Sequence, residues 1–258
     1  MTELNRRTFA AAALSAAATP TLASGEHKAR RDLSLDEIIR RHTLARGGPA
    51  ALDGLRSETA ELQIVEKGSV IRAKYICTRA PEYRIDIFAG DKHVFCEGLD
   101  KDGPWIWPSS NPAPTQGVPD GAKTAIQGIT FNLYGLHAFP SLGHRLSLDG
   151  RELLGGVNYY VVRVDMKNAY VTFLYFDPQT WMIARRRDFR ARHPDMDATK
   201  KNLETQYTDF RAVNGVRCAF LEHQIDLDAG KITQVTIVDT MAFNAPLDEA
   251  MFDRFYRA

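Results

Sequence analysis

Cysteine is scarce in this 258-residue chain: Cys77, Cys96 and Cys218 are the whole complement, with no C-x-x-C pair. That number and spacing exclude a zinc-finger-type site and a disulfide framework. A single disulfide is open to the chain in an oxidising compartment. Cys77 and Cys96 fall on strands with a third strand between them, so the plainer reading is three small buried hydrophobes. Charge of one sign is missing as well. The formal net charge is +1, which excludes nucleic acid as the main partner, because neutralising phosphates takes a basic footprint. No apolar run approaches the roughly 20 residues that span a bilayer. The signatures G-x-S-x-G, H-E-x-x-H and the phosphate-binding loop are all lacking. The common hydrolase, metalloprotease and nucleotide-binding chemistries therefore have no foothold in local motifs, and no cofactor is expected.

What the chain does have begins at its N-terminus. Arg6 and Arg7 form a basic region, Phe9 to Ala18 a short apolar one, and Thr21-Leu22-Ala23 a small-residue cleavage site. This is the pattern of a cleavable export signal. Asn5-Arg6-Arg7-Thr8-Phe9 resembles the twin-arginine motif, although an ordinary secretory signal with adjacent arginines also fits. The expectation is a periplasmic protein cleaved after Ala23: residues 1–23 the signal, 24–33 a loose polar start, 34–258 one domain. Loss of Glu3, Arg6 and Arg7 leaves the chain from residue 24 onward formally neutral.

Ser34 with Glu37 three residues on makes a capping box, and Gly47-Gly48 stops the helix that follows. From Ser57 the hydrophobic period changes to two. Leu62 and Ile64 share a face, then Ala73, Tyr75 and Cys77, then Tyr83, Ile85 and Ile87, with turns at Lys67-Gly68, Ala80-Pro81 and Gly90-Asp91. The alternation predicts an antiparallel meander with one wet face. The prolines at 108, 112, 114 and 119 rule out a regular strand after Trp107. A helix is expected over residues 122–139, weakened at Gly128 and Gly135. Strands resume around Gly155-Gly156, Asp177-Pro178, Asn214-Gly215 and Ala229-Gly230. Ten or so strands with few helices predict a mainly β protein: a large curved antiparallel sheet or unclosed barrel with an N-terminal helix and a helical lid.

Candidate chemistry is thin. His93 and Glu97, four apart on a strand, would point to the same side about 13 Å apart, too far to share a metal ion. His193-Pro194-Asp195-Met196-Asp197 reads as a solvated hairpin tip or, less plainly, a cation loop. His223 falls on an apolar face as a core histidine. The run Arg185, Arg186, Arg187, Arg190 and Arg192 alternates faces and reads as a solvated edge, or as a contact for anionic head groups. Trp105 and Trp107 share a face, either in the core or walling an apolar cavity.

Several stretches together resemble a known family: ARGGPAALDGLRS (45–57), DGPWIW (102–107), GVNYYVVRV (156–164), YFDPQTWMIARR (175–186), YTDFRAVNGVRCAF (207–220) and NAPLDEAMFD (244–253). In this order they are similar to the outer-membrane lipoprotein-sorting (LolA/LolB-like) superfamily, over about Leu35 to Phe252. The resemblance implies an unclosed barrel with a helical lid and an apolar concave cavity, in a non-enzymatic carrier of lipid or lipoprotein acyl chains. The twin-arginine start and the proline-rich central loop depart from that pattern and leave the cargo open. The inward candidates are Leu62, Ile64, Tyr75, Tyr83, Ile85, Trp105, Trp107, Phe131, Leu133, Tyr160, Val162 and Val164. The expected ligand is a lipid or lipoprotein acyl chain, bound by a monomer that meets an envelope or membrane partner without being an integral membrane protein. The competing readings are an interaction module with a filled core, and an exported enzyme using a metal or cofactor at His93, His193 or His223.

Overall fold

The computed structural model describes residues 33–256. The export signal and its cleavage site lie outside the described residues. Helix α1 (Leu35–Arg46) starts as expected: Ser34 Oγ accepts the Glu37 amide at 3.3 Å. It stops at Gly47, whose φ of 130° favours glycine, and a Cβ there would come 2.2 Å from the Gly215 carbonyl. A short helix α2 (Pro49–Asp53) follows, with proline in its first turn.

Thirteen strands then make one antiparallel sheet that does not close. In chain order they are β1 (Ser57–Glu66), β2 (Ser69–Thr78), β3 (Tyr83–Ala89), β4 (Lys92–Asp100), β5 (Gly103–Pro108), β6 (Thr115–Gln116), β7 (Arg145–Leu154), β8 (Val157–Asp165), β9 (Val171–Phe176), β10 (Ile183–His193), β11 (Asp197–Val213), β12 (Val216–Asp226) and β13 (Lys231–Phe243). The spatial order is β6-β5-β4-β3-β2-β1-β13-β12-β11-β10-β9-β8-β7. Two meanders meet where β1 pairs with β13, the last strand of the chain, so the sheet is completed only by its final element. Helix α3 (Pro119–Leu133) lies between the meanders in sequence and across the concave face in space. The helix foreseen over 122–139 is two pieces: α3 ends before Gly135, and a 3₁₀ segment, Leu136–Leu142, follows.

Register corrects four expectations. Strand β10 lies between β9 and β11, so the arginine run is internal and not an edge. A register shift between Ile87 and Phe88 in the β3–β4 pair makes a bulge that turns His93 to the face of Asp86 and Cys96, opposite to Glu97. The hairpin tip is docked: Asp195 Oδ1 accepts the Val118 amide at 2.6 Å, at the start of α3. His223 pairs with Gln206 on the face away from Glu222 and is only partly buried. The three cysteines are free, with Cys77 and Cys96 on β2 and β4 and β3 between them, as the spacing indicated.

One core cluster gathers Ile38, Leu136, Phe139, Val162, Val164, Leu174 and Phe176, where α1 and the 3₁₀ segment fill the concavity of β8 and β9. A second packs Leu52 and Leu55 against Leu133, Val216 and Phe243. Among the described residues no helix is long and apolar enough to cross a membrane.

Candidate functional site: a two-chambered cavity under α3

Between those clusters the concave face is not filled. A cavity of about 340 Å³ lies under α3, with Ala60, Leu62, Phe131, Leu174, Met182 and Val238 among its apolar walls. A register shift on β13, opposite Glu61 and Leu62, puts both Val238 and Met241 on this wall although they are an odd number of residues apart. A second cavity of about 320 Å³ continues toward the β10–β11 tip, lined by polar residues including Arg186, Arg190, Glu97, Gln224 and Gln234. The two share Tyr75, Gly128, Arg186, Glu222 and Thr236 as walls. Gly128 matters there. It sits inside α3, and a Cβ added to it would meet nothing within 4 Å.

Of the twelve residues singled out from the sequence, Leu62, Tyr75 and Phe131 line the apolar chamber. Tyr75 also lines the polar one, together with Tyr83, whose hydroxyl donates to Glu97 at 2.6 Å. Ile64 and Ile85 share the concave face by register but stand outside both linings. Leu133, Tyr160, Val162 and Val164 are buried in the packed clusters.

Trp105 and Trp107 are placed differently. They pair with Gly98 and Cys96, which pair with Arg84 and Asp86, on the face opposite Tyr83 and Ile85. Trp105 is, with Pro104, one of the β5 residues that wall the polar chamber, but by register its ring turns to the outer face. Its ring lies across Gly98, where a Cβ would come within 2.5 Å of it, and 5.6 Å from the Arg84 guanidinium. Arg84 in turn grips Asp86 with two hydrogen bonds and donates to the carbonyls of Met251, Asp253 and Tyr256. The pair of tryptophans thus packs the outer face under the C-terminal segment. Composition alone gave no register to reveal this.

Among the described residues one group could offer three metal ligands: Asp86, His93 and Cys96. Arg84 already occupies both carboxylate oxygens of Asp86, and burial pushes the Cys96 thiol well up, so its thiolate is disfavoured. The donor set is an arginine-centred network and fits a cation poorly. His193 stands 3.6 Å from Glu66, and burial holds its pKa below the ordinary value.

Sequence reasoning missed the polar groups inside the cavity. Glu58, at the apolar end, is buried, and its pKa is pushed up to about 7 by burial, with Arg46 opposing and Glu222 adding to the rise. Burial also raises Glu222, against the pull of Arg186. His42 Nδ1 bonds the Trp181 carbonyl at 2.9 Å; burial depresses its pKa to about 3 and keeps the ring neutral. The available signal was an acid interrupting an apolar face: Glu58 shares its strand face with Ala60, Leu62 and Ile64.

No protein-family model matches the chain, and no curated protein matches it by sequence. Solved structures match it in three dimensions. A DUF1329 family protein from Desulfovibrio piger superposes with a TM-score of 0.54 at 12% identity, covering 86% of this chain and 98% of its own. A putative outer membrane lipoprotein-sorting protein domain from Vibrio parahaemolyticus gives 0.54 and 12%, over 84% and 95%. A LolA superfamily protein from Nitrosomonas europaea gives 0.54 and 12%, over 86% and 98%. The resemblance noted in the sequence therefore holds at the level of the fold.

Proposed function

We propose that this protein is an exported, non-enzymatic carrier or sensor that holds an apolar chain in the concave cavity under α3. The observation that carries the reading is the apolar chamber itself, roofed by a helix that presents glycine to it at Gly128. Carrying needs no reacting group, only transfer of apolar surface out of water. At about 0.8 kcal/mol per buried methylene, a chain of about ten methylenes gains roughly 8 kcal/mol, which corresponds to micromolar retention before ordering costs. Two of the structural neighbours are a lipoprotein-sorting domain and a LolA superfamily protein, and acyl chains of lipids or lipoproteins are the cargo this suggests. The basic and apolar N-terminal stretch supports a periplasmic setting, where a membrane or envelope partner would load and unload the chain.

The test is mass spectrometry of an organic extract from protein purified out of the envelope. A stoichiometric lipid is the expected result. An empty extract, from protein that also ignores added acyl chains, refutes the reading.

A further inference from the structure

The polar chamber sets a condition on what lies in the apolar one. On β10 the arginines form two rows. Arg185 and Arg187 point to the outer face, where both bond Glu204. Arg186, Arg190 and Arg192 line the polar chamber. Their fixed partners fall short of satisfying them. Asp188 takes Arg186 Nε at 3.1 Å, and its distance to Arg190 Nε is 3.6 Å, too long for a hydrogen bond. Arg192 pairs with Glu66 and donates from Nη1 to the Thr233 carbonyl, and Arg190 Nη1 donates to the carbonyls of Ala191 and Arg192. Arg190 Nε, Arg192 Nε and Gln224 Oε1 are buried with no hydrogen-bond partner. Buried polar atoms are nearly always satisfied, so three orphans in one chamber point to a polar occupant.

The balance of charge gives its sign. Three guanidiniums face Asp188 and Glu66. Glu97 and Glu222, the other acids in the wall, are both pushed toward their neutral forms by burial, and Asp195 is engaged at the start of α3. Arg186 stands where the chambers meet, over the rings of Phe131 and Tyr207. Among the described residues its one hydrogen bond uses Nε, which leaves the terminal nitrogens, the ones that bind oxyanions in a fork, unbonded on a side chain that lines both chambers.

We propose that the ligand is a single-chain anionic amphiphile, its tail in the apolar chamber and its carboxylate or phosphate head on Arg186 and Arg190. This rests on the carrier reading above and deepens it.

The test is calorimetric titration of the purified, lipid-stripped protein at pH 8 with dodecanoate, dodecyl phosphate, dodecanol, dodecyltrimethylammonium and inorganic phosphate. Both anionic amphiphiles should bind at least tenfold tighter than dodecanol, and inorganic phosphate far more weakly than dodecyl phosphate. Arg186→Met should cut the acid-over-alcohol ratio to about twofold. Arg190→Met, which keeps the Arg186–Asp188 pair, should lower the ratio by a smaller factor and covers the case in which the first variant does not fold. Dodecanol binding as tightly as the acids, preference for the ammonium, phosphate matching dodecyl phosphate, or a ratio unmoved by either variant overturns the head-group proposal. If none of the chains binds, the carrier reading itself falls.

Discussion

Glu58 offers the sharpest test of how the cavity is built. Its carboxyl is buried beside Arg46 and Asn132, and burial lifts its pKa from the ordinary 4.5 to about 7. The sign of the linkage follows. Between those two pH values the folded protein holds a proton on Glu58 that the unfolded chain has released, so stability falls as pH rises across the window. Below about 4.5 the contribution is fully present, and above about 7 it is lost. At about 1.4 kcal/mol per tenfold change in proton affinity, the loss is on the order of 3 kcal/mol. Glu58→Gln keeps the shape and stays neutral. It should match wild type near pH 4.5 and exceed it at pH 8 by roughly 2–3 kcal/mol, or about 4–12 °C in Tm for a chain of this size. Urea unfolding at both pH values, followed by circular dichroism, measures the difference, in which all other titrating groups cancel. An advantage of equal size at both pH values would refute the reasoning, because it would place the Glu58 carboxyl in water.

Three further outcomes follow from the same geometry. Gly128→Ala should stabilise the protein by up to about 1 kcal/mol, since the site is helical and open, while Gly128→Phe should remain folded and lose acyl-chain binding in the calorimeter; binding that survives the phenylalanine would place the ligand elsewhere. Trp105→Ala should lower unfolding free energy by about 3–5 kcal/mol, the usual cost of emptying a packed aromatic site, yet leave ligand affinity of the folded protein unchanged. Gly121→Ala should cost about 1 kcal/mol despite a better helix former, because its Cβ would fall 2.5 Å from an Asp195 carboxylate oxygen; in an Asp195→Ala background the same change should become neutral or stabilising, as a denaturation cycle would show.

The alternation of residues 57–87 was enough to read the sheet, since side-chain direction on a strand is set by period two. It puts Leu62, Tyr75 and Tyr83 on the concave face, where the strand pairing has them. It failed at bulges. One extra residue between Phe88 and Cys96 reverses His93 against Glu97, and nothing in the local composition marks that residue. It failed also where a single glycine decides a ring's position, as Gly98 does for Trp105. The filling of the β8–β9 concavity by α1 and the 3₁₀ segment is a long-range packing outcome. Tyr160, Val162 and Val164 look the same in sequence whether they face a ligand or a helix.

The arginine run shows how topology turns the meaning of a charge pattern. On an edge strand, five arginines on alternating faces would each reach water and would mainly discourage pairing with another chain. On β10, between β9 and β11, the two faces become different environments. The outer row is met by Glu204, with Glu152 and the Tyr175 hydroxyl on Arg187. The inner row meets Asp188 and Glu66 but keeps unbonded N–H groups inside a cavity. Acids could have been placed opposite these groups, as they are on the outer face. Beside Glu222, which burial pushes toward its neutral form, the facing strands supply Thr205, Gln224, Gln234 and Thr236, groups that hydrogen-bond without cancelling charge. A cavity meant only for hydrocarbon would gain from replacing such a row with leucine, because buried charge is costly unless paired. Its retention beside an apolar chamber is the physical reason to look for a ligand with two unlike ends.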